Sequence, residues 1–125
     1  MYVIPQNRPT PTPFDGIEHA TWACSDDGLQ HLSIWRQSLA PGACTPPHRH
    51  DIEEVVLCEA GSGEVHIDGV AHPFGAGSTL VLPGEVVHQI FSTGEQPLEI
   101  LGIFPGTPVA VYLPDGQAID PPWRS

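Results

Sequence analysis

His48, His50 and Glu54 are the residues of this chain best suited to chemistry, because two imidazoles and a carboxylate lying close in sequence form a ligand set for a divalent metal ion. In extended backbone, residues two apart point to the same side, so His48 and His50 share a face and Glu54 has the same parity. An unbroken strand would still fail to bring them to one ion, since His50 and Glu54 would be separated by roughly 13 Å. The chain is therefore expected to bend near Asp51 and Ile52, with the histidines before the bend and Glu54 opening a strand that continues through Val55-Val56-Leu57-Cys58. A helical reading competes locally, with Thr45 as N-cap, Pro46 in the first turn, and Gly61 as the stop. It would place His48 and His50 about 200° apart and divide the ligand set.

The flanking sequence favours strands. Residues 17–24 and 31–39 read as strands separated by the turn Asp26-Asp27-Gly28, and Pro41-Gly42 closes the second. After the break at Gly61-Ser62-Gly63, residues 64–67 alternate, and Asp68-Gly69 carries the strongest short hairpin signal, returning through 70–73. Residues 79–82, 86–91, 98–104 and 109–113 continue the same beat, and no long segment has a period of 3.6. The fold class is all-β, an antiparallel barrel or jelly roll. His88 lies in the strand 86–91, on one face with Val86 and Ile90, and is the fourth candidate ligand. Gln89 and Phe91 have the opposite parity and are expected to face away.

Composition bounds the rest. A chain of 125 residues suits one domain, and 40% hydrophobic content argues against disorder despite fifteen Pro and thirteen Gly. Its net charge of -11, with only four Lys plus Arg, excludes a nucleic-acid or anionic-membrane partner of the usual basic kind. No apolar run approaches a membrane span and no leader pattern opens the chain, so a cytoplasmic location is expected. Three cysteines without paired metal spacing fit a reducing compartment, with Cys58 and Cys44 read as small apolar residues. Residues 1–16, with Pro5, Pro9, Pro11 and Pro13, form an extended arm that can lie on the barrel edge or reach a partner subunit. Residues 17–113 form the barrel, and 114–125 a tail whose Trp123 is expected to pack on the outside. His19, His31, His66 and His72 lack ligand spacing and are read as surface residues, Arg36 as a rim ion pair, and Trp35 as core.

Gly42, His48, His50, Glu54 and Gly61 match the first cupin motif, G(X)5HXH(X)3E(X)6G, at every position. Gly77, Pro83 and His88 match the second, G(X)5PXGXXH followed by three residues and Asn, with Glu85 in place of its last Gly and Ser92 in place of its Asn. The chain thus resembles the cupin superfamily, and in particular its small single-domain metal-binding members. The resemblance implies a jelly-roll barrel (a double-stranded β-helix) that binds one divalent metal through His48, His50, Glu54 and His88, and a homodimer. Such a ligand set suits iron, manganese, nickel, zinc or copper. An octahedral ion would keep two open positions, so the expectation is an oxygen-dependent dioxygenase using iron(II) on a small oxygen-bearing substrate, with no organic cofactor. A sugar isomerase or lyase, in which the metal acts as a Lewis acid, is the alternative, and a non-catalytic cupin that binds a small ligand or metal is the third.

Overall fold

The computed structural model describes residues 2–125. Its strands are β1 (Thr10–Pro11), β2 (Ile17–Ala23), β3 (Ser33–Leu39), β4 (Glu54–Ala60), β5 (Ser62–Ile67), β6 (Val70–Gly75), β7 (Thr79–Leu82), β8 (His88–Ser92), β9 (Leu98–Phe104), β10 (Val111–Tyr112) and β11 (Ala118–Ile119). One sheet has the order β1-β2-β3-β9-β4-β7, a second β6-β5-β8, and β10-β11 form a short ribbon. Every pairing is antiparallel. The architecture is the antiparallel jelly roll expected from the sequence.

Alternation explains the strands. In β9 every second residue from Leu98 to Phe104 is buried, as the pleat requires of a strand with one face on a core. The β5–β6 hairpin turns at Asp68-Gly69, both with positive φ, as a two-residue type I′ turn demands. Between the sheets, Val56, Leu80, Leu98 and Ile100 of the larger pack with Val65 and Ile90 of the smaller. Each such side chain contributes roughly 1.5–3 kcal/mol by leaving water. A second cluster, built on Trp35, Phe104, Val109 and Val111, lies under the tail.

Three expectations need correction. The strand read at 109–113 is only Val111–Tyr112, and it pairs with Ala118–Ile119 from the tail. Trp123 does not sit outside the barrel: it packs against Phe14, His19 and Trp35. His19 is no surface residue either, because Ile17, His19 and Thr21 share the inner face of β2, where Trp123 covers the ring. The arm lies on the barrel edge, with Thr10 and Pro11 pairing with β2 and Trp22 Nε1 donating to the Asn7 carbonyl at 3.0 Å. Among the described residues, no helix is long and apolar enough to cross a membrane.

Candidate metal centre

Backbone pairing sets the histidines side by side. His48 N–H donates to the His88 carbonyl at 3.1 Å and His88 N–H returns the bond at 2.8 Å, leaving the two ring centroids 4.5 Å apart. The chain then bends at Asp51 and Ile52, so the helical alternative does not form, and Glu54 enters as the first residue of β4. The second motif fastens this bend through its turn, where Glu85 N–H donates to the His50 carbonyl at 2.7 Å. Glu85 has a φ of 67°, which explains why the motif places glycine there. Ser92, at the motif's Asn position, is buried and holds the approach to the histidines through its backbone, bonding Gly42 and Ala43.

Each imidazole has one nitrogen fixed. Nδ1 lies 2.7 Å from the Pro46 carbonyl in His48, 2.8 Å from Ala110 in His50, and 3.2 Å from Val86 in His88. A carbonyl only accepts, so Nδ1 carries the proton and Nε2 carries the lone pair. One nitrogen from each ring falls within 4.8 Å of the others. Glu54 Oε1 stands 3.5 Å from Nε2 of both His50 and His88. Neither His50 Nε2 nor Glu54 Oε1 has a hydrogen-bond partner, although both are buried. Leaving such atoms unpaired costs about 1–3 kcal/mol each, and a divalent cation among them would remove that cost. Three neutral nitrogen donors and a carboxylate fit such an ion.

The electrostatics agree. Burial pushes His48 down to about 4 and likewise lowers His50. Both are therefore neutral near pH 7, as coordination requires. Burial opposes ionisation of Glu54, but the polar imidazoles of His88, His50 and His48 packed around it outweigh burial and hold the carboxyl below its ordinary value. Gly102 on β9 makes room for that carboxylate, since a Cβ there would lie 2.9 Å from Glu54 Oε2.

The ligand candidates line one end of a partly open cavity of about 70 Å³, too small for a polymer. Strand register puts Ile17 and Gln37 at the other, aromatic end, and Trp35 lies between, its ring centroid 6.2 Å from that of His50, with Phe14, Trp123 and Thr45 also in the lining. Arg36 is outside it, paired with Glu59 at 2.7 Å and Glu99 at 3.2 Å. Cys58 is buried in the core, and Gln89 faces away, its amide donating to Cys44 Sγ at 3.7 Å. His31 and His72 are exposed, and His66 pairs with Glu64 at the surface. The sequence reading missed Trp123, His19, Gln37 and Gly102 as parts of this region. The period-two pattern through Ile17, His19 and Thr21, and from Trp35 to Gln37, was the signal available.

Residues 35–104 match the family model described as Cupin domain. Auxin-binding protein 1 of Arabidopsis thaliana is 33% identical over 108 residues, covering 78% of this chain and 54% of that protein. The dimethylsulfoniopropionate lyase DddW of Ruegeria pomeroyi is 48% identical over 50 residues, 40% of this chain and 33% of the lyase. A 5-aminosalicylate 1,2-dioxygenase of a Comamonas species is 31% identical over 107 residues, 76% of this chain and 29% of the enzyme. The chain thus spans little more than half the length of the first of these relatives and about a third of the others. Among solved structures, the polyketide cyclase RemF of Streptomyces resistomycificus superposes with a TM-score of 0.73 at 19% identity, over 87% of this chain and 83% of that one.

Proposed function

This chain belongs to the cupin family, and from that premise we propose that it is a metal-dependent enzyme, a dioxygenase that holds one iron(II) at His48, His50, Glu54 and His88. Its substrate is a small molecule with an oxygen-bearing head and an apolar body. One observation carries the reading: three imidazoles commit Nδ1 to backbone carbonyls and leave Nε2 unspent beside an ionised, unpaired Glu54.

When bound, a redox-active divalent ion supplies electron transfer and open positions for a substrate oxygen and dioxygen. The chain's own residues supply the rest. The three backbone carbonyls fix ring orientation, and Glu54 keeps a negative charge against the site. Trp35 and Phe104 shield His50 from water with ring centroids 6.2 Å and 5.0 Å away. The aromatic end takes the apolar body of the substrate. Besides the proposed ligands, none of the described cavity side chains titrates, so a base for the proton shuttling of an isomerase or lyase is lacking. That favours the dioxygenase.

The relatives named as auxin-binding proteins favour a second reading, in which a small ligand binds at the metal and is not turned over. Turnover of a screened substrate by the iron and zinc forms, with and without oxygen, separates the readings. The dioxygenase requires iron and oxygen together. Equal anaerobic turnover by both metals would replace it with the isomerase or lyase, and tight binding without turnover would replace it with the binding protein. The proposal includes a cytoplasmic location, which three free cysteines support. A homodimer built with the arm completes it, and light scattering of the protein with and without residues 1–13 tests that part.

A further inference from the structure

Behind Gln37, which lines the cavity, lies a hydrogen-bond chain that runs consistently in only one direction. Thr21 Oγ1 lies 2.5 Å from the Arg124 carbonyl, which only accepts, so the hydroxyl proton of Thr21 is committed there. The same oxygen lies 2.7 Å from His19 Nε2. With its single proton already used, the hydroxyl accepts, and Nε2 carries the hydrogen. His19 is neutral, because burial lowers its pKa from 6.5 to about 3. Its Nδ1 is therefore a bare acceptor. The side-chain amide of Gln37 approaches that atom at 3.0 Å, and only its NH2 group can face an acceptor. The amide is thereby locked in one of its two senses. Its carbonyl oxygen accepts no hydrogen bond from the described residues and is not among the sealed atoms, so it keeps open surface, and Gln37 lines the cavity.

Strand register places this oxygen away from the histidines. Ser33 pairs with Phe104 and Val55 with Ile103, which puts Glu54 level with Ser33, and Gln37 lies four residues further along β3. That is roughly 13 Å of strand. Of the other polar groups in the lining, the indole N–H groups of Trp35 and Trp123 are sealed without partners, and Thr45 Oγ1 accepts from the Ile90 N–H at 3.0 Å. The carbonyl is thus an acceptor in an otherwise apolar setting.

We propose that Gln37 is a specificity-determining residue whose carbonyl oxygen accepts a hydrogen bond from a hydroxyl or amino group on the ligand, at the end remote from its metal-bound oxygen. His19 is the positioning residue that holds the amide in this sense, and Thr21, tied to the backbone of Arg124, holds His19. The ligand class is a small molecule with an oxygen head at one end and a hydrogen-bond donor at the other. This rests on the proposed function in one respect, that the oxygen head binds at the histidine end.

The test uses the full chain loaded with zinc, which is redox-inert, and calorimetry with benzoate, 4-hydroxybenzoate, 4-aminobenzoate and 4-methoxybenzoate. The hydroxy and amino compounds should bind about tenfold more tightly than the methoxy compound, one buried hydrogen bond's worth of discrimination. Gln37→Leu should erase the difference. His19→Phe retains a ring against Trp123 but removes both ring nitrogens, so the freed amide flips and the difference should again collapse. Equal binding of all four benzoates by wild type, no binding of any while zinc fills the site, or discrimination that survives in Gln37→Leu would overturn the proposal. Nitrogen-15 NMR of His19 in the wild-type protein provides a check independent of ligand, metal and variant folding. A proton on Nε2 with Nδ1 bare is expected, and a proton on Nδ1 would overturn the assignment of the amide. Failure to take up zinc would instead count against the proposed function, and the tautomer would still decide this inference.

Discussion

The two ends of the cavity each bury histidine and use its ring nitrogens differently. At the metal end, His48, His50 and His88 each bond one nitrogen to a backbone carbonyl and leave the other without a good hydrogen bond. At the aromatic end, His19 engages both, with Thr21 at 2.7 Å and Gln37 at 3.0 Å. His19 and His50 are buried to a similar degree, so burial does not distinguish a ligand from a scaffold residue. The unspent nitrogen does, because a buried lone pair without a partner is costly unless something is meant to occupy it.

Loss of one ligand should break this contrast most strongly. His88→Ala should lower metal affinity by more than about a hundredfold, as judged by metal content after dialysis against a weak chelator. His19→Phe should keep full stoichiometry. A His19→Phe protein that loses its metal would show that the two kinds of histidine had been wrongly separated.

Titration comes next. Burial holds His19 at about 3 and His48 at about 4 in the folded protein, against 6.5 in the unfolded chain. A lowered folded value means that the unfolded chain binds more protons, so stability of the metal-free protein rises with pH across this window. The contribution is complete above about pH 6.5 and is lost as the pH falls toward 3 to 4. Each group should remove about 2 kcal/mol by pH 5. Urea unfolding between pH 7 and 4 measures the slope, and His19→Phe should make it shallower. An unchanged slope would mean that His19 is not kept neutral.

A smaller effect concerns the aromatic wall alone. Trp123 stacks on His19 with centroids 3.9 Å apart and meets Phe14 and Trp35 edge-on. Trp123→Ala should cost about 2 kcal/mol in thermal or urea unfolding. Metal content should stay unchanged, since no metal-end residue depends on that ring. The smallest effect lies on the metal side, where Glu85 holds a left-handed φ beside a long 3.8 Å contact to Arg49. Glu85→Gly should stabilise the protein by about 1 kcal/mol. No gain would mean that the Arg49 contact offsets the backbone strain.

The metal end was legible in the sequence because it is local. His48, His50 and Glu54 lie within one turn and strand start, the rise of a strand required the bend at Asp51 and Ile52, and His88 came from the parity of its own strand. The hairpin at Asp68-Gly69 and the alternation of β9 were readable for the same reason. The aromatic end is assembled from β2, β3 and the chain's last residues, which meet only in the fold. Arg124 bonds Asp27 at 2.7 Å and the Thr21 carbonyl at 2.8 Å, contacts about a hundred positions apart that no spacing rule encodes. Trp123 therefore read as an outside anchor. His19 shares the parity of Ile17 and Thr21, which marks its burial, but no ligand spacing marks a histidine that bonds an amide and a hydroxyl.

The central claim is that three imidazole nitrogens and the Glu54 carboxylate bind one ion. X-ray absorption of the iron- or zinc-loaded protein tests it most directly, because it counts donors around the metal. The account predicts three imidazole shells with nitrogen and oxygen neighbours at about 2.0–2.2 Å and no sulfur. A sulfur neighbour, or fewer than three imidazoles, would contradict it.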